Sequence, residues 1–350
     1  MGAMSLDFLN ANGARRVRNY DTQPSLLTDG ITQSEDPETK LDWDIEVPMD
    51  DWRPIDVRNA LGGETWQARP ERFVDGKDVG RTVAWLQSRE RFPVPVRLSQ
   101  IGAVVMRGYD GELRREYQKI ERVVSLAADL FPWDEVESFA RALRVYNYRL
   151  LIVPEPTDGW SFDFERMRHA AQDRTNYEMA QLERQALNND QGVPTIVDGR
   201  LAARTTLPSN STDAVVGIIK THSRNYLHPT GWGAYYALEP GQRTPAFRME
   251  GRSFDLISWY VRLDGSLGEM PNWGVVRLEI PQMFFKDGAQ SDWGYLDRVS
   301  RVIYDYRTRD RTYRRAPVSI LPIQRAEESL GALFTDSDNL IGQFYRMTGL

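Results

Sequence analysis

The chain has 350 residues, with 44 Lys and Arg against 50 Asp and Glu, a formal charge of −6 and a pI near 5.4. It has no cysteine and only three histidines (His169, His222 and His228), which excludes a disulfide framework, a zinc ribbon, a thiolate nucleophile and a histidine-built metal cage. No stretch approaches the roughly 18 consecutive apolar residues that span a bilayer, and no charged-then-apolar leader opens the chain, so a cytoplasmic protein off the membrane is expected. Taken whole, the acidic balance argues mildly against nucleic acid. The charge is uneven, however: residues 1–60 hold twelve acids against six bases, and 61–350 balance at 38 each. Residues 298–325 carry eight arginines against Asp305 and Asp310.

In chain order, residues 1–65 are poorly periodic and rich in turn formers, so they read as an extended acidic arm that must dock on something. Its acids, with Trp43 and Trp52 among them, suit a basic protein surface such as a dimer mate or an ATPase. Residues 66–350 form the α/β body. Arg72–Lys77 reads as a short strand that ends in a turn at Asp75-Gly76, and 94–106 as a buried strand reversed at Tyr109-Asp110-Gly111. Leu113, Tyr117, Ile120, Val123, Val124 and Ala127 fall three or four apart and predict a helix over 113–130. A second helix follows at 134–145, giving a helical insertion over about 110–147. Then come a strand at 148–154, a helix near 162–188, an apolar run ending in Asp198-Gly199, and a strand over 214–220. Two strands at 256–263 and 274–280, an Arg-rich helix at 292–308 and a last helix from about Pro322 complete the pattern.

Two apolar strands thus deliver Asp-Gly pairs, Asp75-Gly76 and Asp198-Gly199, and an acid at a strand end sits where α/β active sites collect. The helix between them can present Glu178 or Glu183 toward the sheet. Three such carboxylates hold one or two hard divalent cations through oxygen alone, which fits a chain poor in histidine and free of cysteine. Two cations would activate water and neutralise the leaving oxygen in phosphodiester cleavage, and Lys220 could meet the charge that builds on phosphate.

The order Val-Asp75-Gly, Arg174-x-x-x-Glu178, Ile-Val-Asp198-Gly-Arg-Leu and Val-Val-Gly-Ile-Ile-Lys220 resembles the NurA nuclease family. The runs Trp259-Tyr260-Val-Arg262-Leu and Gly274-Val-Val-Arg277-Leu-Glu279-Ile-Pro resemble its later strands, so the likeness spans about 70–330. The resemblance implies an RNase H-like mixed sheet flanked by helices and a manganese-dependent (or magnesium-dependent) nuclease on DNA ends and single strands. It also implies a homodimer and a hexameric HerA-type ATPase as partner. By family spacing Asp75, Glu178 and Asp198 become the metal ligands and Lys220 the basic residue beside them. The chain departs from the family near its end, where Ala316 and Gln324 stand for the usual tyrosine and histidine; Gln324 can orient a group but cannot exchange a proton near neutral pH. His222 and His228 are the other candidates for that role. Arg307, Arg309, Arg311, Arg314 and Arg315, interleaved with Tyr304, Tyr306 and Tyr313, suit phosphate contact and stacking on a single strand. Two other readings are a non-catalytic structural subunit of a HerA-type motor, through the missing tyrosine and histidine, and a carboxylate-pair glycosidase, through the ten tryptophans.

Overall fold

The computed structural model describes residues 6–17, 40–62, 66, 68–160, 163–189, 192–201, 214–220, 226–251, 254–265, 271–284, 292–310, 312–313 and 315–350. Among the described residues the sheet has thirteen strands, of which nine position the site: β1 (Arg72–Gln87), β2 (Pro93–Tyr109), β3 (Glu112–Leu126), β4 (Tyr148–Ile152), β5 (Thr195–Asp198), β6 (Val215–Ile219), β7 (Phe247–Met249), β8 (Leu256–Arg262) and β9 (Val275–Pro281). Their spatial order is β7-β8-β9-β6-β5-β1-β2-β3-β4. β1, β2 and β3 pair antiparallel, whereas β1–β5, β5–β6 and β3–β4 are parallel. The result is a large mixed sheet flanked by helices, as the sequence pattern implies.

Alternation along the strands explains how helices cover both faces. Val74 and Val197 point to the side where Leu182, Ala186 and Leu187 of α2 (Phe164–Asn188) pack. Their neighbours Phe73 and Ile196 point the other way, onto α3 (Trp293–Tyr306) and α4 (Leu321–Leu333), through Leu296, Val299, Ile303, Ile323 and Leu330. Beyond the far ends of β1–β3, α1 (Trp133–Val145) and α5 (Ser337–Thr348) close a third cluster around Phe139, Leu143 and Phe344. Among the described residues no helix is long and apolar enough to cross a membrane.

The helix predicted over 113–130 is instead β3, the third strand of a long meander. A β-bulge explains the misleading spacing. Val105 pairs with Tyr117, but Met106 pairs with Arg115, so Glu116 is an extra residue and the inward face switches parity across it. Leu113 and Ile120 therefore face the same cluster seven residues apart, a separation that imitates two helical turns. Within 110–147, α1 forms as the second helix was predicted, preceded by a single 3-10 turn at Ala128–Leu130.

The arm docks on its own chain. Leu41–Asp42 adds to the outer edge of β7, and Ile55–Asp56 pairs with Gln242–Arg243. Trp52 is buried, and the Trp43 indole N–H donates to the Tyr226 carbonyl at 2.8 Å. The acids that read as a docking surface for another protein are partly spent here: Asp42 pairs with Arg248 at 3.0 Å. Glu46 receives both terminal nitrogens of the buried Arg243, at 2.9 and 2.7 Å, and the Ala246 N–H at 2.7 Å. Arg243 also reaches Asp297 of α3 at 2.6 Å, so one guanidinium ties the arm, the sheet and a helix together. Glu46→Gln is expected to cost about 2 kcal/mol in urea unfolding, because a bidentate charged pair is lost and Arg243 stays buried.

Candidate active site

β1 and β5 run parallel in register Val74↔Val197, and that pairing stops there. Asp75 and Asp198 are the next residues, side by side on the face that α3 and α4 cover. One strand farther, Asp198 pairs with Ile218, and Lys220 follows two residues later on the same face. Three parallel strands therefore bring two carboxylates and an ammonium together at their C-terminal ends, although the three residues are far apart in sequence.

The two glycines after the aspartates do different work. Gly199 has φ +107°, so it turns the chain sharply after Asp198, as predicted. The turn predicted at Gly76 does not occur: β1 runs on to Gln87, paired with β2 alone. What Gly76 supplies is space, since a Cβ there would lie 2.5 Å from Oε1 of Glu183 on α2. Glu183 is therefore the helix carboxylate that presses against β1 at Gly76, from the α2 face and close enough for its charge to act on Asp75.

Glu178, the residue chosen by family spacing, lies on the same helix and is held by two guanidinium groups. It is gripped by Arg149 at 2.8 Å and Arg174 at 2.7 Å, and Arg149 also pairs with Glu121 at 2.6 Å. A carboxylate with two guanidinium partners has its charge already spent. Sequence reasoning missed a further member, Glu327 of α4, whose Oε1 lies 3.6 Å from the Lys220 ammonium.

Electrostatics single out Asp75. It is 3% exposed, and among the described residues its Oδ2 has no hydrogen-bond partner. Burial pushes its carboxyl well above the usual aspartate value, the Asp198 charge pushes it further, and Lys220 only partly opposes them. Burial alone would pull the Lys220 ammonium down. The charges of Asp198, Glu327 and Asp75 outweigh it and hold the lysine above its ordinary value, with Nζ 2.9 Å from Asp198 Oδ2. The lysine is thus kept protonated while nearly buried.

Among the described residues no three Asp, Glu or His side chains already stand in one metal coordination sphere. The donor chemistry nevertheless fits a hard divalent cation. Asp75, Asp198 and Glu183 offer oxygen only, and the orphaned Asp75 oxygen is a buried acceptor that a cation would satisfy.

No family model matches the chain, and no curated protein matches it. Among solved structures it is similar to the crystal structure of the NurA nuclease from Sulfolobus solfataricus, at 13% identity and a TM-score of 0.45, over 84% of this chain and 86% of that one.

The basic stretch is more self-contained than its charge suggested. Arg298 pairs with Asp292, Arg301 with Asp305 and Arg325 with Glu328. Arg307 lies over the Tyr304 ring at 3.9 Å and donates to that residue's carbonyl. Tyr306 donates to the Pro70 carbonyl and receives Arg69, so it is packed against the body. Arg309 is exposed, Arg315 points to Glu327 at 3.2 Å, and Arg311 and Arg314 lie outside the described residues. Gln324 is buried and donates to Glu328 at 2.9 Å, while among the described residues its own carbonyl oxygen has no hydrogen-bond partner. His228 caps a short turn through Thr230, His169 is exposed on α2, and His222 lies outside the described residues.

Proposed function

We propose that the chain is a divalent-metal-dependent deoxyribonuclease that hydrolyses phosphodiester bonds at this carboxylate–lysine centre. The observation that carries the reading is Asp75: a nearly inaccessible carboxyl with an orphaned oxygen, beside Asp198 and a protonated Lys220 at the ends of three parallel strands. A stable fold gains nothing from such a group. Its burial raises the cost of the charge, Lys220 offsets that cost only in part, and among the described residues its Oδ2 has no hydrogen-bond partner, as is typical of a functional site. Asp75, Asp198 and Glu183 would hold manganese or magnesium, which when bound supplies an activated water and neutralises charge on the leaving oxygen.

The chain's own residues do the rest. Lys220 is fixed by Asp198 on one side and Glu327 on the other, so its charge is aimed before substrate arrives and costs little reorganisation as negative charge grows on phosphate. The exposed Arg309 and the half-exposed Arg315 lie on the segment leading to α4 and supply phosphate contact. DNA as substrate, and a HerA-type ATPase as partner, rest on the motif order from Asp75 to Glu279. The test is digestion of labelled single-stranded DNA with manganese, with chelator, and by Asp198→Asn. Cleavage that needs the metal and falls in the variant is expected; equal cleavage by wild type and variant would move the chemistry elsewhere.

A further inference from the structure

We propose that Glu327 is a positioning residue that ties the basic segment 307–315 to Lys220, so that DNA phosphates seated on that segment act directly on the reacting centre; this rests on the nuclease reading. Glu327 stands half-buried on α4, next to the buried Ile323, Ala326 and Leu330, where a carboxylate needs partners. It has three. Oε1 faces both the Lys220 ammonium at 3.6 Å and the Arg315 guanidinium at 3.2 Å, and Oε2 accepts a short hydrogen bond from the Tyr313 hydroxyl.

The two cations differ in a useful way. Lys220 is 9% exposed and has Asp198 as its nearer partner, whereas Arg315 is 48% exposed. Arg315 is thus the cation that can exchange Glu327 for a phosphate, which would leave Oε1 to Lys220 alone. Tyr313 keeps the segment attached during that exchange. Its described residues are held by backbone bonds, since the N–H groups of Tyr313, Ala316 and Val318 donate to the Asp310, Tyr313 and Arg315 carbonyls. Thr308 also donates to Ser319 at 2.9 Å, which closes the loop at its base.

The experiment compares the full chain with Tyr313→Phe, Glu327→Ala and, as a control, Glu328→Ala, which faces Arg325 and Gln324 instead of the segment. Hydrogen exchange read by mass spectrometry should show peptides over 309–318 exchanging about tenfold faster in Tyr313→Phe and Glu327→Ala, and unchanged in Glu328→Ala. In single-stranded DNA digestion, Tyr313→Phe should raise KM about fivefold with kcat nearly kept, while Glu327→Ala should also lower kcat about tenfold by releasing Lys220. Unchanged exchange in both variants, or equal acceleration in the control, would overturn the tether. If wild type itself cleaves nothing, the nuclease reading falls while the exchange measurement still decides the tether.

Discussion

Asp75→Asn is expected to abolish metal-dependent cleavage and, at the same time, to stabilise the metal-free chain. On the activity side, the loss should be about a thousandfold or more in kcat, because the variant removes the charge of the most deeply placed ligand while keeping its shape. On the stability side, the argument runs through the proton. Asp75 in the folded chain holds a carboxyl raised well above its ordinary 3.8, first by burial and then by Asp198. The folded state therefore binds that proton more tightly than the unfolded state does. Its contribution to stability is fully present below 3.8 and is lost as pH rises through the raised value. Asparagine has no such loss. Wild type and variant should melt together at acid pH and separate as pH climbs toward neutrality, the variant melting higher. Adding manganese should narrow the gap by stabilising wild type more. Thermal melts across this pH range, with and without metal, measure all of it. A variant that melts below wild type at neutral pH would mean that the Asp75 charge is well solvated or paired after all.

How much of this was legible in sequence depends on whether the signal was local. The β1, β5 and β6 runs, and the pairing of Asp75 with Asp198, were readable because a buried parallel strand is a plain apolar run and its end is marked by Asp-Gly. The β3 bulge was not. One extra residue at Glu116 shifts alternation by one and leaves a spacing that mimics a helix, and only the partner strand reveals it. Gly76 misled in a related way: a glycine that opens room for Glu183 looks the same in sequence as one that turns the chain. The docking of the arm on β7 and β8 was also hidden, since two-residue strands and the Glu46–Arg243 pair depend on contacts about two hundred positions apart. Two carboxylates, by contrast, left a usable trace. Glu183 stands among Met179, Leu182, Ala186 and Leu187, and Glu327 among Ile323, Ala326 and Leu330, each a charge on an apolar stripe. Glu178 also falls on the inner side of the helix, near Thr175 and Leu182, so the pattern alone does not separate it from Glu183; its two arginine partners do.

The same distinction gives a sharp functional contrast. Glu183→Gln should lower kcat about a hundredfold, whereas Glu178→Gln should leave it within about threefold of wild type. Glu178 already serves Arg149 and Arg174, so its neutralisation weakens two ion pairs and costs about 1 kcal/mol of stability without touching the centre. Arg149 keeps Glu121, and Arg174 keeps its hydrogen bond to the Ile152 carbonyl, which limits the damage. Gly76→Ala probes Glu183 without altering any charge. Its new methyl group would meet the Glu183 Oε1, Cδ and Cγ at 2.5, 2.6 and 2.7 Å, so the whole end of that side chain must move. β1 itself need not change, because Gly76 has no positive φ and alanine suits an extended strand. Gly76→Ala should therefore resemble Glu183→Gln in kcat and in its weakened response to manganese, read by the metal-induced rise in melting temperature. If Glu178→Gln were the inactive variant and both Glu183→Gln and Gly76→Ala cleaved normally, the helix would present its carboxylate one and a half turns earlier, and α2 would have to lie differently on β1. The agreement of two chemically unrelated substitutions on opposite sides of one contact is what ties Glu183 to the reaction.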